Sequence, residues 1–125
     1  YSDSDYIRGN SDSYQECRLS TPASTPASGT CTLRYRAMKS STNITSFAME
    51  VRQGSTVIAS LTTIPGSSMT AYTKTFAASS VTDWSDVRVR FTIDLSGFCN
   101  VDVSWVELEI PDPPIASGLE MGMMF

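Results

Sequence analysis

The sequence predicts an all-β protein, folded as a single antiparallel β-sandwich that resembles a jelly roll and has about seven or eight strands. Apolar residues recur at every second position through most of the chain. Residues with β-branched or aromatic side chains dominate these runs, as is typical of strands. Turn-forming segments such as Gln53–Ser55 separate the runs. A chain of 125 residues is long enough to bury one core in one domain.

The alternation assigns a buried face to each predicted strand. The first strand is expected at 14–19, and the turn at 53–55 is expected to close a hairpin. The expected inward positions, strand by strand, are Cys31, Leu33, Tyr35 and Ala37; Phe47, Met49 and Val51; Val57, Ala59 and Leu61; Tyr72, Lys74 and Phe76; and Val87, Val89, Phe91, Ile93 and Leu95.

The last strand breaks the alternation. Trp105 shares its parity with Val103, whereas Val106 and Leu108 share the opposite parity. Either both faces of this strand are covered, or a β-bulge near Ser104–Val106 reverses the phase. We favour the bulge.

Two connecting segments are distinct. Residues 21–29 contain TPAS twice in tandem, and this Pro/Ser/Thr content predicts an exposed loop. The segment AASSVTDWSD predicts a single helical turn, capped by Ser80 or Thr82, with Asp83 near its positive end.

The sandwich domain is expected to span residues 1–112, with an extended apolar arm at 113–125. Pro111, Pro113 and Pro114 prevent the last strand from continuing. Burial of the arm's large apolar side chains gains roughly 7–15 kcal/mol, and ordering its backbone costs about 8–16 kcal/mol. The arm therefore needs a preformed surface, either on its own sandwich or on a neighbouring molecule. Its candidate interface residues are Leu119, Met121, Met123, Met124 and Phe125.

Composition excludes several classes of function. The net charge of −4 argues against binding to nucleic acids, which requires a basic face, and against docking on anionic lipid. No run approaches the ~18 apolar residues of a membrane span. The chain has no histidine, which removes Ser-His-Asp and Cys-His nucleophiles and the usual zinc sites. Glycine-rich phosphate loops are absent from the sequence.

We therefore expect no enzyme, no catalytic residue, no cofactor and no metal. Glu107 and Glu109 lie two apart, which favours a solvated strand face over a glycosidase pair. Calcium binding by Asp3, Asp5 and Asp12 is an alternative to a solvated leader, but their spacing is not that of an EF-hand.

The remaining candidates for partner contact are aromatic and basic. Tyr35 and Tyr72 fall on core-like positions, whereas Trp84 either plugs the end of the sandwich or binds a partner. Two arginine pairs would form one patch if their strands were neighbours, and would pair with carboxylates or meet an acidic partner. These pairs are Arg34 with Arg36 and Arg88 with Arg90.

The three cysteines match no zinc or redox spacing. Buried free thiols are the favoured interpretation of Cys17, Cys31 and Cys99. One disulfide plus one free thiol is the alternative.

Four motifs resemble a β-sandwich domain that recurs in structural proteins of tailed bacteriophages. They are RYRA within Leu33–Ala37, QGSTVIA at Gln53–Ala59, VTDWSDVRVR at Val81–Arg90 and VSWVELEIP at Val103–Pro111. The leader SDSDYI also resembles the amino-terminal edge of that family. The resemblance covers about two-thirds of the chain.

This resemblance implies a non-enzymatic virion protein, such as a capsid decoration or minor tail protein, assembled in the bacterial host cytoplasm. It implies other virion proteins and copies of the same chain as partners. It supplies no catalytic residues. The alternative function is a carbohydrate-binding jelly roll for host attachment, with glycans as partners.

Overall fold

The computed structural model describes residues 7–9 and 12–111. This part of the chain contains eight strands and two short 3₁₀ turns, which confirms the all-β class. The strands are β1 Ile7–Gly9, β2 Ser13–Arg18, β3 Thr30–Lys39, β4 Ile44–Gln53, β5 Thr56–Thr62, β6 Thr70–Ala77, β7 Val87–Leu95 and β8 Val101–Glu109. No helix in the described ranges is long and apolar enough to cross a membrane.

The strands form two four-stranded antiparallel sheets. Sheet A has the order β1-β8-β3-β6, and sheet B has the order β2-β7-β4-β5. Successive strands alternate between the sheets except at the β4–β5 hairpin, which produces the jelly-roll arrangement. Most strands that are neighbours within a sheet are therefore distant in sequence. The pairing of these strands decides which residues lie side by side on each sheet face.

The core lies between the inner faces of the two sheets. The alternate residues predicted on β3, β4 and β7 are buried there, except that Leu95 is only half-buried. The rings of Tyr35 and Phe91 meet edge to face at 5.3 Å between centroids, and Phe47 stacks on Phe91 at 5.7 Å. Tyr72 stacks on Tyr35 at 5.4 Å, so the prediction that these tyrosines belong to the core is confirmed.

The predicted bulge in the last strand is confirmed. Arg36 lies opposite Trp105, whereas the next residue on β3, Ala37, lies opposite Val103. Ser104 is therefore the extra residue. The bulge turns Trp105 outward and lets Val106 and Leu108 pack against the core.

A second bulge makes one sequence prediction wrong. Arg52 lies opposite Val57 and Val51 lies opposite Ala59, so Ile58 is the extra residue of β5. Val57 therefore does not share the inner face with Ala59 and Leu61, and it is 45% exposed. A bulge on an edge strand also protects it against pairing with another chain.

The connecting turns differ from the prediction in their caps. Two 3₁₀ turns form, at Ala78–Ser80 and Trp84–Asp86. The second is capped by Asp83, whose carboxylate accepts from the amide of Ser85 at 3.0 Å. The predicted caps at Ser80 and Thr82 are wrong, because the Gln53 carboxamide occupies the amide of Thr82 instead.

The amino-terminal strands and the first long loop agree with the prediction only in part. The predicted strand at 14–19 corresponds to β2, whereas β1 was missed because it is only three residues long. The loop at 21–29 joins β2 to β3 and is largely exposed, although Pro26 is buried. The boundary predicted between 112 and 113 falls outside the described residues and stays a prediction.

Candidate functional site

The two arginine pairs lie on opposite sides of the sandwich. Arg34 and Arg36 belong to β3 on the outer face of sheet A, and Arg88 and Arg90 belong to β7 on the outer face of sheet B. The structure therefore does not bring them into one patch. Because β3 and β7 are central strands of different sheets, each pair has its own set of carboxylate neighbours.

The outer face of sheet A is crossed by ion pairs. Arg34 contacts Glu109 at 2.6 Å and Glu107 at 3.4 Å. These two glutamates share one arginine on an open strand face, which matches the predicted solvated face. At the other end of the sheet Arg8 holds the buried Asp102 through two contacts of 2.8 and 3.1 Å.

The outer face of sheet B presents a row of mostly small side chains across its four strands. In register, Tyr14 lies opposite Thr92, Thr92 opposite Ala48, and Ala48 opposite Thr62. Four strands at their usual spacing make this row about 14 Å long. We call this row the trough, because three of its four side chains are short.

Polar side chains border the trough, and most of them are longer than the side chains within it. On one side the next row contains Glu16, Arg90, Glu50 and Ser60. On the other side Ser46 lies opposite Asp94, whose side chain is exposed. A ligand in the trough would therefore meet threonine hydroxyls below and charged hydrogen-bonding groups at its sides.

Tyr14 is the aromatic end of the trough, and its position is fixed by charge. The guanidinium carbon of Arg90 lies 3.8 Å from the centre of the Tyr14 ring. Arg90 is itself held by Glu16 at 3.1 Å. Tyr14 is nevertheless 54% exposed, so the ring face away from Arg90 meets solvent. A half-exposed, preoriented ring can stack on the apolar face of a cyclic ligand.

Trp84 lies apart from this face. It is 7% exposed and lies at the end of the sandwich, as the prediction of an end plug requires. Trp105 is half-buried on the outer face of sheet A. The five candidate residues of the arm, Leu119 to Phe125, lie outside the described residues.

The cysteines in the part of the chain that the structure describes form no disulfide and belong to no group of metal ligands. The three cysteines are free, with Cys31 and Cys99 buried and Cys17 half-buried. Burial raises the pKa of the Cys17 and Cys31 thiols above their ordinary value, which disfavours the reactive thiolate. The residues of 7–9 and 12–111 contain no group of three potential metal ligands. Of the calcium candidates, Asp12 accepts from the amide of Leu95, and Asp3 and Asp5 lie outside the described residues.

Sequence reasoning did not single out Tyr14. The available signal was the outward parity that Tyr14, Glu16 and Arg18 share on the first predicted strand. The short residues that complete the trough come from β7, β4 and β5, and their register with β2 is not visible in the sequence.

No protein-family model matches the chain, and no curated protein matches it. Among solved structures, the chain is similar to a carbohydrate-binding module, CBM4. The two share 20% sequence identity and a TM-score of 0.56, and the match covers 83% of this chain and 81% of that one. At this identity the likeness shows the fold, a β-sandwich of jelly-roll type.

Proposed function

We propose that the chain is a non-catalytic carbohydrate-binding module and that the trough on sheet B holds the glycan. The observation that carries this proposal is the half-exposed Tyr14 ring, held by Arg90 at the end of a row of short side chains that includes two threonines. Sugar rings combine an apolar face with equatorial hydroxyls, so they need both an aromatic surface and polar walls. The fold shared with CBM4 supports the same function.

The charges around the trough favour a neutral glycan. Arg90 is paired with Glu16 at 3.1 Å, and Arg52 is paired with Glu50 at 2.6 Å. Asp94 adds a negative charge on the opposite wall. These neighbouring cations are therefore already neutralised, so a uronate or sulfated sugar would meet net repulsion.

Affinity measurements on a panel of soluble glycans test this function. Isothermal titration calorimetry with neutral oligosaccharides of glucose, xylose and mannose, and with oligogalacturonate, compares the wild type with Tyr14→Ala. We expect binding to at least one neutral glycan and none to oligogalacturonate. Loss of the stacked ring should weaken binding about tenfold or more, because burial of an aromatic side chain is worth about 1.5–3 kcal/mol.

Phe98→Ala is the matched control for this experiment. Phe98 is 72% exposed in the loop between β7 and β8. The substitution therefore removes an exposed aromatic ring of similar size and leaves the trough unchanged. The control should bind like the wild type. An equal loss in both variants, or no binding to any neutral glycan, would contradict the proposal.

A structural role in a bacteriophage virion is the second candidate. One observation bears on it: two of the motifs that carry the sequence resemblance form one hydrogen-bonded unit. Gln53 accepts from the amides of Thr82 and Asp83 at 2.8 and 3.0 Å, and Gly54 donates to the carbonyl of Asp86 at 3.1 Å. These motifs therefore hold the β4–β5 hairpin against the segment before β7.

The two candidates are distinguished by binding to particles. Purified protein added to phage particles that lack it should bind in the virion role and be located on the capsid or tail by immunoelectron microscopy. Binding to purified glycans without binding to such particles favours the first function alone.

A further inference from the structure

A cavity lies at the end of the sandwich, separate from the trough. Its volume is about 320 Å³, within the size range of protein ligand sites. Ser20 is the polar residue of the lining. The apolar lining residues are Leu19, Pro22, Trp84, Val87, Leu108 and Ile110. A cavity of this composition binds an apolar group and offers little to a sugar.

The last described residues, Ile110 and Pro111, lie at the rim of this cavity. Ile110 lines the cavity, and the next residue, Pro111, packs beside Gly29. A Cβ atom added to Gly29 would lie 3.0 Å from the Cβ of Pro111, so glycine at this position permits the close approach. The starting point of the following segment is therefore fixed next to the cavity.

The sequence of that segment suits a return to its starting point. Pro113 and Pro114 favour extended conformations in the residues before them. Gly118 then permits a reversal. The apolar side chains begin at Leu119, nine residues beyond Ile110, and include three methionines and Phe125. Methionine side chains adapt to irregular apolar cavities.

We propose that this cavity is occupied by residues 119–125 of the same chain, with methionine and phenylalanine side chains packed against Trp84. The arm gains too little from burial to order alone, so it requires a preformed surface of this kind. Tethering gives the segment an effective concentration on the order of millimolar at the rim. A second copy at micromolar concentration competes poorly with a segment that is already attached.

Trp84 fluorescence reports on the occupant. The chain has two tryptophans, so Trp105→Phe leaves Trp84 as the sole reporter. In this background, a variant with Met123→Ser, Met124→Ser and Phe125→Ser keeps the chain length and removes three of the five large apolar side chains of the segment. We expect its Trp84 emission to shift to longer wavelength and its quenching by acrylamide to increase, equally at 1 and 100 µM protein. A third variant, Ser20→Trp in a Trp105→Phe, Trp84→Phe background, fills the cavity and should make residues 119–125 cleavable by chymotrypsin.

Three outcomes contradict the proposal. Unchanged Trp84 emission and quenching in the serine variant mean that the segment does not occupy the cavity. A change that appears only at high protein concentration, with a doubled mass in light scattering, assigns the cavity to the segment of a second copy. Rapid chymotrypsin cleavage at 119–125 with an unfilled cavity also overturns it. Glycan binding at the trough should be unchanged by the serine variant, so failure here is distinct from failure of the proposed function.

Discussion

The guanidinium carbon of Arg90 lies 3.8 Å from the centre of the Tyr14 ring, while the same guanidinium group contacts Glu16 at 3.1 Å. One cation thus links an aromatic ring to a carboxylate across two neighbouring strands. The arrangement limits the motion of Tyr14 before any ligand arrives. Preorganisation of this kind reduces the entropy that binding must overcome.

Arg90→Ala should therefore weaken glycan binding by less than Tyr14→Ala does. An exposed cation–π contact is worth about 0.5–1 kcal/mol, which corresponds to roughly a two- to fivefold loss of affinity. Arg34→Ala, on the outer face of the opposite sheet, is the matched control and should leave affinity unchanged. Calorimetric titration measures all three variants. If Arg90→Ala binds as tightly as the wild type, Arg90 does not position the ring.

The ion pair between Arg8 and Asp102 should contribute far more to stability than the pair between Arg34 and Glu109. The side chain of Asp102 is 8% exposed, so Arg8→Ala leaves a buried carboxylate without its cation and should cost about 2–3 kcal/mol. Arg34→Ala breaks an exposed pair and should cost less than about 1 kcal/mol. Urea denaturation followed by circular dichroism gives both values. Equal losses would show that burial of Asp102 is not what makes its pair important.

Gln53→Ala should destabilise the protein by disconnecting the β4–β5 hairpin from the segment before β7. The carboxamide oxygen accepts from two backbone amides, and its nitrogen donates to the Thr82 hydroxyl at 2.9 Å. Loss of these hydrogen bonds should lower the free energy of unfolding by about 1–2 kcal/mol. Each hydrogen bond contributes a net stabilisation of about 1 kcal/mol or less where water can replace it. Gln53→Glu keeps the acceptor and should lose less. Thermal denaturation of both variants checks this order, and an unchanged melting temperature for Gln53→Ala would refute the role of Gln53.

Tyr35 should govern how stability changes in alkali. Its hydroxyl is buried, and within the described chain it has no hydrogen-bond partner. Burial, assisted by Tyr72, raises the pKa of Tyr35 far above the ordinary value of a phenol. The unfolded chain therefore loses this proton first, so the free energy of unfolding should fall as the pH rises above about 10.

Tyr35→Phe should remove this contribution to the pH dependence. The variant also removes an unpaired buried hydroxyl, so it should be as stable as the wild type or more stable at neutral pH. Urea denaturation between pH 8 and 11 measures both effects. A stability profile that keeps the wild-type slope in Tyr35→Phe would contradict the assignment.

The sequence predicts strands well where the alternation is local. Residues 87–95 alternate without interruption, and the broken parity around Trp105 was sufficient to place a bulge. The bulge in β5 was missed because Val57 and Ala59 keep a regular pattern, and only pairing with β4 shows that Ile58 is extra. The three residues of β1 are too few for periodicity to be read.

The candidate site is less predictable, because it depends on which strands become neighbours. Arg34 and Arg88 both occupy outward positions on strands that alternate regularly between apolar and polar residues. The strand order of the jelly roll nevertheless places them on opposite faces of the molecule. Tyr14, Ala48 and Thr62 are separated by more than thirty and by fourteen residues, and only the register of sheet B aligns them. Long-range pairing of this kind leaves no signal in local composition.

We expect the outer face of sheet B to bind a neutral glycan along the trough. Titration of the glycan selected by calorimetry into ¹⁵N-labelled protein tests it most directly, because amide chemical shifts locate the ligand residue by residue. The largest shifts are expected at Tyr14, Ala48 and Thr92, and none are expected at Arg34, Glu107 or Glu109 on the opposite face. Shifts confined to sheet A, or to the end of the sandwich around Trp84, would contradict it.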